Sequence, residues 1–298
     1  MTRRARRRLA FGLLPLALGS CAMPAAPPPA PAPPHVAPAP PAPVPAAANF
    51  GLSGAFLQGG VLRGQVPPGT VRLTLDQRPV AVADDGRFLI GFGRDAAPVA
   101  RLEAVLASGA VIAREIVVGQ RAWDVQSLPT LPKGTTPTPE FLARRRGELA
   151  QIEAARAIAS DSQGWRQRFV WPAIGRISGV FGSQRIYAGE PGAPHAGVDV
   201  AKPAGAVVVA PADGVVVLAA AAPFTLEGNL LMIDHGMGLN SAFLHLSRID
   251  VGVGDRVRQG QPVGAVGMTG RATGPHLHWG MKWRDERIDP ALLAGPMP

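Results

Sequence analysis

The sequence predicts a mainly β protein, with a C-terminal antiparallel β-sheet domain preceded by a small antiparallel β domain and one linking helix. Three observations carry that prediction. Apolar residues come in short runs that often alternate with polar ones, the period of a strand. Gly (36) and Pro (32) are abundant among the 298 residues and punctuate those runs as turns. Only one segment, from Pro139 onward, repeats apolar residues at broadly helical spacing.

Taken in order, residues 1–21 (MTRRARRRLAFGLLPLALGSC) read as a signal peptide: a basic start, an apolar run from Leu9 to Leu18, then small residues. The run is far short of the ~20 residues that a spanning helix needs. Leu18-Gly19-Ser20-Cys21 resembles a lipobox, so a lipid anchor at Cys21 to a bacterial membrane is expected, with export to the periplasm or cell envelope. Cys21 is the one cysteine, which excludes an internal disulfide. Residues 22–49 are nearly all Ala and Pro. Such a run buries no core and favours polyproline II, a semi-rigid stalk of roughly 3 Å per residue; His35 within it is expected to be solvated.

Residues 50–120 form the small β domain. Val71, Leu73 and Leu75 alternate before a turn at Asp76-Gln77; Phe88 and Ile90 alternate after a turn at Asp84-Asp85-Gly86. It gathers no His, Cys and acid cluster and is read as a spacer or binding module. Residues 121–164 hold a Pro-rich linker (QSLPTLPKGTTPTP) and the helix, where Phe141, Leu142, Leu149, Ile152 and Ile158 recur and Arg144–Arg146 read as a solvated face. Residues 165–298 return to short β segments and contain every histidine except His35: His195, His235, His245, His276 and His278.

The net charge of +9 does not point to nucleic acid. Five arginines lie in the first eight residues, and without them the formal charge is +4. No long basic stripe with interleaved aromatics remains, so nucleic acid is not an expected partner. The sequence carries no signal for an oligomeric state.

The histidines suggest a metal centre. In a strand, His276 and His278 share a face about 7 Å apart, while Leu277 and Trp279 face a core. His195 and Asp199 are also an even number apart, and Pro194 and Gly197 argue against a helix there. Imidazole nitrogen and carboxylate oxygen are good Zn2+ ligands; His195, Asp199 and His278 would make three, leaving a fourth position open, as in catalytic rather than structural zinc sites. His235 and His245 cannot be ranked by spacing alone.

The stretches WPAIGRISGVFGSQRI, HAGVDVAKPAGAVVVAPADGVVV, NLLMIDHGMGLNSAFLHLS, VGVGDRVRQGQPVGAVGMTGRATGPHLHWG and ERIDP resemble the zinc metallopeptidases of the lysostaphin and LytM type, peptidase family M23, over residues about 171–290. The resemblance implies a groove fold like that of glycyl-glycine endopeptidases, one catalytic Zn2+ held by His195, Asp199 and His278, and His245 and His276 as the catalytic histidines. His235 matches a position without a ligand role. Ser241 and Phe243 stand where the family often has Thr and Tyr. The implied activity is that of a zinc metalloendopeptidase hydrolysing peptide cross-links of bacterial peptidoglycan, with stem peptides as substrate and water as nucleophile. The alternative is a non-catalytic envelope module that regulates or recruits another wall hydrolase, as in members that have lost zinc ligands; here all three ligand positions are intact. VGVGDRVRQGQPVGAVG also resembles the hairpin of lipoyl and biotinyl carriers, but the modified lysine is missing, since Lys282 lies in the wrong place.

Overall fold

Two-residue turns and alternating burial build the first sheets of the computed structural model, which describes residues 50–298 apart from 133, 135 and 136. The expected signal peptide, the Cys21 lipobox and the Ala/Pro stalk lie outside the described residues. Strands β1 (Val61–Gln65) and β3 (Arg87–Gly91) pair antiparallel. β2 (Thr70–Leu75), β4 (Val99–Leu106) and β5 (Val111–Val117) join Arg78–Val80 in a four-stranded sheet. Asp76 and Gln77 both take left-handed backbone angles (φ 46° and 67°), the conformation a two-residue hairpin turn requires. Leu73, Phe88, Ile90 and Leu102 are buried, whereas Val71 is exposed.

The Pro-rich segment is not wholly without structure. β6 (Val125–Leu128) pairs in parallel with β8 (Gln184–Tyr187). Helix α1 (Pro139–Ala157) starts where expected: the Thr138 hydroxyl accepts from the Phe141 N–H, and Pro139 fills the first turn, where no N–H is needed. Its buried face is not the one the apolar spacing suggests. Leu142, Leu149 and Ile158 are exposed; Glu148, Ile152 and Ala155 are buried. Ile152 and Ala155 pack on Val217, Leu218, Phe224, Leu230 and Met232.

The large antiparallel sheet positions the histidines. Its order is Arg256–Val257, β10 (Gly214–Ala219), β11 (Asn229–Asp234), β12 (Leu239–Leu246), β13 (His276–Trp283), β9 (Gly197–Ala201), β7 (Arg176–Gly179). β14 (Glu286–Ile288) pairs with the far end of β13, and α2 (Pro290–Ala294) follows. Leu277, Trp279, Met281 and Trp283 of β13 all point into the core, and Trp171 meets Trp279 edge to face at 5.8 Å. That core is continuous from Phe50 to Ala294. Arg63 donates to the carbonyls of Trp165 and Gln167, and Arg121 pairs with buried Asp289 at 2.8 Å. The described residues from 50 onward belong to one compact unit. Among the described residues no helix is long and apolar enough to cross a membrane.

Candidate metal centre and active site

β13 is the middle of the site because both of its neighbours contribute. His278 lies opposite Asp199 of β9 on one side and Leu244 of β12 on the other. Cross-strand partners share a face, so Asp199 and His278 meet by register alone. His195 comes from the loop before β9. His195 Nε2 lies 3.1 Å from Asp199 Oδ1 and 3.1 Å from His278 Nδ1, and His278 Nδ1 lies 2.8 Å from Asp199 Oδ1. These three atoms form a nearly equilateral triangle.

That triangle fits a zinc ion. Ligands at about 2.0–2.1 Å in tetrahedral geometry stand about 3.3–3.4 Å apart, so the edges need open by only a few tenths of an ångström. Tautomers point the same way. His195 Nδ1 is 3.0 Å from the Val180 carbonyl, which can only accept, so Nδ1 carries the proton and Nε2 turns a lone pair toward Asp199 and His278. A cation or a shared proton must sit among the three donors. Burial works to raise the Asp199 carboxyl, but the bonds from His195 and His278 outweigh it and hold Asp199 well below the usual carboxylate range. Burial also works to lower His195, yet Asp199 overrides it and the ring ends above its ordinary value. His278 is pushed down, chiefly by burial. Among the described residues His195, Asp199 and His278 are the group of side chains with metal-ligand geometry.

His276 and His245 stand beside the triangle. Their rings are 4.9 Å apart, and His276 Nε2 is 3.8 Å from Asp199 Oδ1. His276 Nδ1 donates to the Gly274 carbonyl and His245 Nδ1 to that of Thr269, both at 2.8 Å. Each ring therefore keeps Nε2 as its basic atom. Burial, before the neighbouring rings, pushes His245 below its ordinary value and favours the neutral base.

His245 reaches this face through an irregularity. Leu244 is the residue opposite His278, so strict alternation would send His245 to the core side. Instead His245 has φ 65°, a left-handed conformation rare for a side chain of this size, and its N–H bonds to the Glu227 carbonyl. The chain turns there and brings the ring back beside His276.

The other residues singled out in the sequence lie elsewhere. His235 is fully buried behind the sheet, with Nδ1 on the Asp213 carbonyl and Nε2 on Ser241 Oγ. Ser241 Oγ also accepts from Trp279 Nε1, and Phe243 is buried on the same side. The Ser241 and Phe243 differences thus sit on the core face of β12, behind the histidines. Sequence reasoning missed Gly179, whose replacement by any side chain would place Cβ 2.4 Å from Asp199 Oδ2 and 3.0 Å from His195 Cε1. It also missed the carbonyls of Val180, Thr269 and Gly274, since backbone clamps leave no residue signature.

A metal triad of His, Asp and His on an antiparallel sheet, flanked by a histidine pair, is the layout of a mononuclear metallopeptidase. The family model of peptidase family M23 matches residues 193–290. A crystal structure of an M23 peptidase from Pseudomonas aeruginosa superposes with a TM-score of 0.62 at 32% identity, covering 80% of this chain and 95% of that one. The chain belongs to peptidase family M23. Among curated proteins, the peptidoglycan DD-endopeptidase ShyA of Vibrio cholerae serotype O1 is 39% identical over 132 residues, covering 44% of this chain and 30% of that protein. The DD-carboxypeptidase/endopeptidase Mpg of Neisseria meningitidis serogroup B is 41% identical over 71 residues, covering 24% and 16%. The chain spans less than a third of the length of these curated relatives.

Proposed function

We propose that this protein is a zinc-dependent endopeptidase that hydrolyses peptide cross-links of bacterial peptidoglycan in the cell envelope. The observation that carries the reading is the triangle of His195 Nε2, Asp199 Oδ1 and His278 Nδ1 beside the His245–His276 pair. Its relative ShyA of Vibrio cholerae, a peptidoglycan DD-endopeptidase, supplies the substrate class.

In this reading His195, Asp199 and His278 hold the ion. Zinc, when bound, acidifies a water and polarises the scissile carbonyl. His245 and His276 divide the proton work. One Nε2 takes the proton of the attacking water as the new C–O bond forms. The other, protonated, donates to the oxyanion, and as the C–N bond breaks a proton passes to the leaving amine. The Thr269 and Gly274 carbonyls fix both tautomers for that exchange. Cys21 tethers the protein by a lipid, and the Ala/Pro-rich residues 22–49 separate that anchor from the β module.

Digestion of purified peptidoglycan with mass analysis of the products tests activity and names the bond. His278→Ala should lose both zinc and cleavage. His245→Ala should retain near-stoichiometric zinc while turnover falls by about 100-fold or more. Normal cleavage by both variants, or a wild-type protein that purifies without zinc and cannot be loaded, would sink this function. Cys21→Ser should move the protein from the membrane to the soluble envelope fraction.

A further inference from the structure

The face of β13 that carries His276 and His278 continues past them. Gly280 and Lys282 follow on the same side by period-two alternation. Lys282 lies directly opposite Arg287 of β14, and directly opposed side chains of paired strands share a face. Arg156, in the last turn of α1, is exposed and lines the same cavity. A cavity of about 120 Å3 is lined by His278, Gly280, Arg156, Lys282 and Arg287, and by one acid, Glu227. Lys282 stands four residues from His278, about 13 Å along the strand.

Three cations here are unexpected on stability grounds. Like charges directly opposite in a sheet repel, and no carboxylate lies within ion-pair distance, 4.0 Å, of any of the three among the described residues. The acids in the neighbourhood are otherwise committed or turned away. Glu227 is held by Arg145 through two bonds, at 2.5 and 2.6 Å. Glu286 points at Gly93 on the other side of the strand pair. Glu227 and Glu153 act on Arg156, and Asp285 and Glu286 on Lys282, only at longer range. Burial first, then the charges of Arg156 and Arg287, push the Lys282 ammonium below its ordinary value. Arg156 and Arg287 are exposed and Lys282 is half-buried, so an anion entering the cavity meets three cations that no carboxylate holds. The cavity has room for a carboxylate and a few carbon atoms rather than a bulky polyanion.

We propose that Arg156, Lys282 and Arg287 form a subsite for a free carboxylate of the peptide substrate, at the end of the trough that runs along β13 from the metal-binding residues. The identity of that peptide as a wall stem peptide rests on the function proposed above; the subsite itself does not. A carboxylate seated there fixes where along the trough the peptide lies, and so which amide reaches His278. α1 becomes the wall of a binding trough, and Arg156 its contribution to recognition.

Calorimetric titration of the mature chain, in the His245→Ala background to prevent turnover, tests this. The probes are a cross-linked muropeptide and the same muropeptide with its carboxylates converted to amides. The free acid should bind about tenfold tighter. Lys282→Gln with Arg287→Gln should reduce that preference below about twofold, with no fall in thermal midpoint because a repulsion is removed. Arg287→Lys keeps the charge and should keep the preference. Equal binding of the two probes by the parent, or an unchanged preference in the double variant, would overturn the subsite. If wild-type protein leaves peptidoglycan intact while the preference follows Lys282 and Arg287, the proposed function falls and the subsite stands.

Discussion

A single missing methyl group at Gly179 keeps the Asp199 carboxylate in place. Gly179→Ala would drive Cβ to 2.4 Å from Asp199 Oδ2, so the carboxylate must swing away from His195 and His278. The expected result is a loss of zinc affinity of about 10–100-fold, the range seen when groups supporting a ligand are disturbed, with the fold retained; competition with a chelator measures it. His235 makes a separate prediction. Burial pushes it down to about 4 in the folded protein, against about 6.5 when unfolded. The unfolded chain therefore binds the proton first. The neutral ring's contribution is intact above pH 6.5 and is lost progressively as pH falls toward 4, by about 2 kcal/mol at pH 5. Urea unfolding at pH 7 and pH 5 should show that difference in wild type and a smaller one in His235→Gln; identical slopes would remove His235 as the cause. Much of the site was legible at this scale. The His276–His278 spacing puts both rings on one face and pairing of β9 with β13 brings Asp199 to them, whereas His195 arrives from the loop before β9 rather than by strand alternation. The placement of His245 by alternation was not legible, because one left-handed residue reverses which face it serves.

Helix α1 is held less by apolar packing than by a charged hinge at its middle. Glu148 is buried and accepts from the Thr225 N–H and hydroxyl at 2.7 and 2.6 Å, and from Arg144 and Arg145. Arg145 then spans to Glu227, whose carbonyl holds the His245 N–H. The helix is thus tied to the segment that turns His245. Burial works to raise the Glu148 carboxyl, but these bonds win and hold it below its ordinary value. Its contribution is present above about pH 4.5 and is lost as pH falls below that. Glu148→Ala leaves the half-buried Thr225 N–H and hydroxyl without their acceptor and Arg145 with Glu227 alone. The expected cost is about 2–3 kcal/mol, with faster amide exchange over 139–157 and over 223–228 together. Acceleration in the helix alone would mean that the Glu227 segment stands without it. The helix itself was legible from Pro139 and the spacing of its apolar residues; the Thr138 cap was not. Its buried face was not: Arg144–Arg146 read as solvated, whereas Arg145 is nearly enclosed. Sequence periodicity weighs side chains by hydropathy, and here an ion network on the inner face outranks three exposed aliphatic residues.

Across residues 50–298 the β module and the metal-bearing sheet share one core, although composition alone suggests two separable pieces. A side chain at Gly91 of β3 would meet Ile288 and Trp283 of the large sheet within 2.8–3.1 Å. Asp289 bonds Arg121 and caps α2 by accepting from the Ala291 N–H, while its own N–H donates to the Gly59 carbonyl. Phe181, Trp283 and Ile288 are buried in the continuous core. A fragment beginning at residue 165 would leave that joint uncovered and would strip Asp289 of its cation. Calorimetry should therefore find a single transition for the chain, with calorimetric and van't Hoff enthalpies equal. Arg121→Ala breaks a bridge whose carboxylate is buried, at a cost of about 2 kcal/mol, and should lower the one midpoint by about 4–8 °C without splitting it. The 165–298 fragment should melt well below the whole chain. Two resolved transitions, with Arg121→Ala moving only one of them, would instead make the β module an independent domain that docks on the peptidase sheet. The metal site would then lie in a body able to fold alone, and the bonds from Arg63 to Trp165 and Gln167 would be docking contacts rather than part of a common core.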